Sequence, residues 1–90
     1  MATHIIKRHG HDEKFDARKV YASVYAACRN AHLSEIQSEK IAEAVSMRLT
    51  SWMKNRTQVS SEDIFQQIIA ILKELHPDAA LLYETHRDIS

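Results

Sequence analysis

The sequence predicts a mostly α-helical fold in which four short helices form a bundle covered by an N-terminal β-hairpin. Three observations predict it. Apolar residues recur at helical spacing in four stretches after residue 16, the clearest of these stretches open on a helix-start signal, and a β-branched pair followed by the only glycine precedes them all. With one Gly and one Pro among 90 residues, and 44% of the chain hydrophobic, there is little material for irregular loops. The chain reads as one domain over residues 1–90, with a small core and no room for a deep enzyme cleft.

The hairpin comes first. Residues 3 to 7 and 13 to 15 read as two short strands joined by a turn around Gly10, where a residue without Cβ adopts positive φ at little cost. Two short strands are marginal in water, so this hairpin must lie on the helices. Asp16 is a fitting N-cap for helix 1, residues 17 to 31, in which Val20, Val24, Ala27, Cys28 and Ala31 share one face. Ser34 and Gln37 form a capping box for helix 2, along which Ile41, Val45, Leu49, Trp52 and Met53 make an apolar stripe ending near Lys54. Helix 3 has the clearest start. Ser60 caps it, Glu62 and Asp63 fill its first turn, and Val59 is placed to pack on Ile64 as a hydrophobic staple. Ile64, Ile68, Ile71, Leu72 and Leu75 then repeat the helical spacing until Pro77, whose predecessor is pushed out of the helical region. Helix 4 restarts at Pro77 or Asp78 with Ala79, Leu82, Tyr83 and His86 on one face.

Charge and composition exclude several functions. Twelve basic and twelve acidic residues cancel, a poor footprint for a protein that grips a phosphate backbone by counterion release, so direct nucleic-acid binding is not expected. The charge is uneven, with ten basic and six acidic residues in 1–59 against two and six in 60–90, which leaves room for a local anion site near the N-terminus. Cys28 is the only cysteine, so neither a disulfide framework nor a cysteine-rich zinc site fits within one chain. No apolar stretch reaches the roughly 18 residues that span a bilayer, and no secretion signal opens the chain. The expected protein is soluble and cytoplasmic.

The chemistry concentrates in the run from Ile5 to Asp16, which sets a basic pair, a turn, a carboxylate and a helix N-terminus within reach of one small site. That set suits a nucleotide better than bare nucleic acid. Each residue also has a plainer reading. Lys7 and Arg8 make an ordinary solvated strand face, Glu13 a cross-strand partner for Lys7, Asp16 a helix cap and Phe15 a core residue. His9 and His11 alternate around the turn without a third ligand at convincing spacing, so no metal site is expected there. Cys28 lies on an apolar face and reads as core, as do Trp52 and Met53. With no nucleophile beside a base and no Walker-type loop, no catalytic residues are assigned and no enzyme is expected.

With those residues placed, the chain resembles the ATP-cone domain, a nucleotide-sensing module of ribonucleotide reductase large subunits and of the transcriptional repressor of their genes. Ile5, Lys7, Arg8, Gly10, Glu13, Phe15, Asp16, Lys19 and Val20 stand at the family's N-terminal motif positions, and His9 stands where the family usually has Asp. Downstream, Ser60 and Ser61 with Asp63 and Ile64 match the start of the third helix, and Tyr83 to Arg87 resembles the closing helix. The chain stops about where some members place a last phosphate-binding lysine. The resemblance implies an allosteric site for ATP or dATP, with Mg2+, between the hairpin and the helices. In it, Lys7, Arg8 and Lys19 would meet the phosphates, and Glu13 and Asp16 would accept from the adenine amino group. Ile5, Phe15 and Val20 would bed the base, and Ser61 would donate at a helix N-terminus.

Bound nucleotide would then be an effector, acting by stabilising one conformation or oligomer over another. The discriminating contact for the 2′-hydroxyl is expected near the start of helix 3. The implied partners are ATP or dATP, a second copy on nucleotide binding, and a reductase subunit or repressor in trans, with no membrane. The alternative is a helical protein-interaction module that keeps the fold with weak or lost nucleotide binding. A repressor's zinc ribbon needs four cysteines, so in that context this chain would serve only as a fragment of a longer protein.

Overall fold

The structure is a computed structural model that describes residues 4–6, 12–14 and 16–85, the first two segments as backbone alone. Along the chain come β1 (His4–Ile6), β2 (Asp12–Lys14), α1 (Ala17–Asn30), α2 (Glu35–Met53), β3 (Gln58–Ser60), α3 (Ser61–Leu75) and α4 (Pro77–Thr85). The expected four helices are all present, and the chain is mostly helical.

Each helix begins where the side-chain chemistry predicts. The Asp16 carboxylate accepts from the Arg18 backbone N–H at 2.9 Å and opens α1. Ser34 accepts from the Gln37 N–H at 3.2 Å while Gln37 reaches back to the Ser34 N–H at 3.3 Å, closing the capping box of α2. Ser60 and Asp63 do the same for α3, at 2.9 and 3.3 Å. The end of α1 is a Schellman motif: Leu33 N–H reaches the Cys28 carbonyl, His32 N–H reaches that of Arg29, and His32 takes φ 67°. At the end of α2, Arg56 lies 4.4 Å from the centre of the Trp52 ring and donates from Nε to the Trp52 carbonyl. Before Pro77 the chain turns extended at His76, whose Nδ1 accepts from the Ala79 N–H at 3.2 Å and caps α4.

One core joins all four helices. Val20, Val24 and Cys28 of α1, Val45, Leu49 and Met53 of α2, Ile64, Ile68, Ile71 and Leu72 of α3, and Ala79 and Ala80 of α4 are buried together. Val59, the staple residue, is buried in the same cluster as Ile64. The stripe of α2 continues through Ala42 and Ser38, both fully buried, which a search for large apolar residues passes over. Ser38 Oγ has no hydrogen-bond partner among the described residues. An unpaired buried hydroxyl costs about 1–3 kcal/mol, so Ser38→Ala is expected to raise the melting temperature by several degrees in a calorimetric scan.

The strands form a sheet of order β2-β1-β3. The expected hairpin is described only in part. Segments β1 and β2 pair antiparallel with Ile5 opposite Glu13, so Glu13 does not stand across from Lys7. The turn around Gly10 lies outside the described residues. The sequence reading has no counterpart for β3, which pairs parallel to β1 with Ile5 opposite Val59 and Ile6 opposite Ser60.

Candidate functional site

Sheet register decides where the candidate residues fall. Because β1 and β3 are parallel and in register, both leave the sheet at the same end, where Ser60 passes directly into α3 and Ser61. Because β2 is antiparallel, it ends opposite His4, and the chain enters α1 through Asp16 from that other end. The start of α3 thus lies at one end of β1 and the approach to α1 at the other, with a three-residue strand between them.

The two starts differ in charge. The first turn of α1 carries Arg18 and Lys19 and no acidic residue. Cations there oppose the helix dipole, a local cost that an anionic ligand would reverse. Arg18, with a side chain 92% exposed, holds Asp16 through Nε at 3.3 Å and Nη2 at 3.4 Å. Both carboxylate oxygens of Asp16 are thus engaged, and those hydrogen bonds, with the Arg18 backbone N–H, hold its carboxyl below the usual value of 3.8. The first turn of α3 is acidic, with Glu62 and Asp63. Its cap uses Ser60 and Asp63, so the exposed Ser61 hydroxyl lies outside the capping box.

The remaining candidates divide by placement. Lys19 is exposed one turn into α1, and Val20 is core, 8% exposed. Ile5 and Glu13 face each other in the sheet as backbone. Lys7, Arg8 and Phe15 lie outside the described residues, as do His9, His11 and His86. Sequence reasoning passed over Arg18, although a basic pair at a helix start is a legible signal. It also passed over Phe65, which sits one helical turn beyond Ser61 on the same face of α3, with its ring 5.7 Å from that of Tyr83.

Tyr83 is half-buried and joins two neighbouring helices. Its hydroxyl lies 3.2 Å from Ser23 Oγ, and Ser23 in turn donates to the Val20 carbonyl at 2.9 Å. Burial raises the Tyr83 phenol above its usual value. Burial likewise raises Tyr21, helped by Glu39 and Glu43, and raises Cys28. The signs give a pH window. Asp16 is depressed, so its contribution is present above 3.8 and is lost as pH falls below it. Cys28 and the two tyrosines are raised, so theirs is present below 9.0 and 10.0 and is lost as pH climbs past those values. Melting temperature is expected to fall on both sides of that window, and Cys28→Ala is expected to remove the alkaline slope that begins first.

Among the described residues no group of three His, Cys, Asp or Glu side chains is placed to hold a metal ion. No helix there is long and apolar enough to cross a membrane. An open depression of about 340 Å³ on α2, lined by Ser46, Met47, Thr50, Ser51 and Lys54, contains none of the candidate residues.

A family model described as the ATP cone domain matches residues 3–89. The chain is also similar to the transcriptional repressor NrdR of Carboxydothermus hydrogenoformans, with 28% identity over 92 aligned positions. That alignment covers 96% of this chain and 57% of the relative, so the chain spans little more than half of the repressor's length.

Proposed function

The chain belongs to the ATP-cone family, and on that premise we propose that it is a non-catalytic sensor of adenine nucleotides. Residues 1–90 form one regulatory domain in this reading, and ATP or dATP binds with Mg2+ between a β1–β2 hairpin and the helix starts. The observation that carries the proposal is the placement of two helix N-termini, one cationic and one bearing Ser61, at opposite ends of β1.

Chain connectivity adds the other cations. Lys7 and Arg8 follow β1 directly in the sequence. Lys7, Arg8 and Lys19 supply the charge for the phosphates. Asp16 and Glu13 accept from the base, and Ile5, Phe15 and the surface edge of Val20 contact its faces. The Arg18 side chain competes with the ligand for Asp16, so binding releases or shares that contact.

The regulated process is ribonucleotide reductase activity or expression, in the cytoplasm. The relative's role as a repressor favours control of transcription by the whole protein. It also weighs against the expectation that nucleic-acid association plays no part in such a protein, even though this chain's balanced charge makes it a poor DNA-binding surface by itself. Sensing requires that ATP and dATP favour different states. Light scattering with each nucleotide is expected to show a change in mass with one that the other does not reproduce. Identical mass and shape with ATP, dATP and no nucleotide would remove the sensor reading and leave the interaction-module alternative.

A further inference from the structure

Helix α4 packs against both α1 and α3, the two helices whose first turns flank the proposed nucleotide site. Its side of that contact includes Ala79, Ala80 and Tyr83, and Tyr83 sends its hydroxyl to α1 and its ring to α3. The Ser23 hydroxyl has a single hydrogen, and the Val20 carbonyl takes it at 2.9 Å. Tyr83 is therefore the donor in the 3.2 Å contact with Ser23. A directed chain runs from the α4 hydroxyl through Ser23 to the carbonyl of Val20, the residue after Lys19. On the other side, the Tyr83 ring stacks on Phe65 at an interplanar angle of 27°, and Phe65 lies one turn along the face of α3 that begins with Ser61.

We propose that Tyr83 is a positioning residue that sets the spacing of the two helix starts and couples nucleotide occupancy to α4. The inference rests on the nucleotide reading above and adds to it the element that responds. A ligand that spans both helix starts fixes their separation and so favours the docked α4. By reciprocity, a docked α4 favours the ligand. In the wild-type protein, ATP is therefore expected to slow amide hydrogen exchange across Pro77–Thr85.

The test uses Tyr83→Phe, which keeps the ring and removes the donor, and Ser23→Ala, which removes the acceptor from the α1 side. Both are followed by isothermal titration with ATP and by hydrogen exchange. Each substitution is expected to weaken ATP about fivefold or more and to abolish the ATP-dependent protection of α4. The double substitution is expected to cost no more than either single one, because both break the same chain. Should Tyr83→Phe fail to fold, Ser23→Ala carries the same expectation. Wild-type protein that binds ATP without protecting α4, or variants that bind with wild-type affinity and protection, would overturn the coupling and leave the nucleotide site standing. Wild-type protein that binds no adenine nucleotide would overturn both.

Discussion

Alanine at both Lys7 and Arg8 is expected to lower ATP affinity by at least a hundredfold while the helical fold survives. Hydrogen bonds to charged groups contribute about 1.5–3 kcal/mol each, so one such bond lost per residue amounts to about 3–6 kcal/mol. At about 1.4 kcal/mol per tenfold, that corresponds to a factor of roughly 10² to 10⁴. The fold should persist because its four helices and its core are built from residues 16–85. Isothermal titration reads the affinity and circular dichroism the helix content. A variant that binds ATP like the wild type would move the phosphate site away from the N-terminal motif. Conservative replacement of Arg8 by Lys is expected to recover only part of the affinity, since a lysine supplies the charge without the planar fork.

Leu49→Ala is expected to be the most damaging single core substitution. Leu49 is fully buried near the C-terminal end of α2, within the cluster that joins all four helices. Truncating a buried leucine costs about 2–5 kcal/mol, a large part of the roughly 5–15 kcal/mol that holds a domain folded. At about 4–8 °C per kcal/mol the melting temperature should drop by on the order of 20 °C. Alanine at Met47, on the same helix but 65% exposed, is the matched control and should change stability by no more than about 0.5 kcal/mol. Similar losses at both positions would mean that Leu49 is not at the centre of the core.

The helices were legible because their signals are local. Ser34 with Gln37 and Ser60 with Asp63 declare a helix start within four residues, and the structure forms both boxes. The end of α1 carries no glycine, yet the Schellman motif forms through His32, at the steric cost of a positive φ. Strand β3 was not legible. Gln58–Ser60 is three residues long, and its partner β1 lies more than 50 positions away, so pairing between them leaves no periodic trace. Ser38 and Ala42 were missed for another reason: both are small, so a stripe of large apolar residues does not mark them, yet both are fully buried.

The candidate site was legible as a set of residues and not as a shape. The motif spacing selects Lys7, Arg8, Glu13, Asp16 and Lys19, but only the register of β1 with both neighbours separates the α1 start from the α3 start. Tyr83 shows the same limit. Its phenol and Ser23 stand 60 positions apart in sequence with Phe65 between them, and α4 brings them together through tertiary packing.

Thermal unfolding of the domain with Mg2+ and ATP, dATP, ADP or GTP tests the central claim most directly. At about a hundred times its dissociation constant a ligand adds about 2.7 kcal/mol, enough to move the midpoint of so small a domain by roughly 10 °C or more. A rise with ATP and dATP, and none with GTP, is the result that adenine-nucleotide sensing requires. An unchanged midpoint with every nucleotide, in a domain that melts cooperatively, would contradict it.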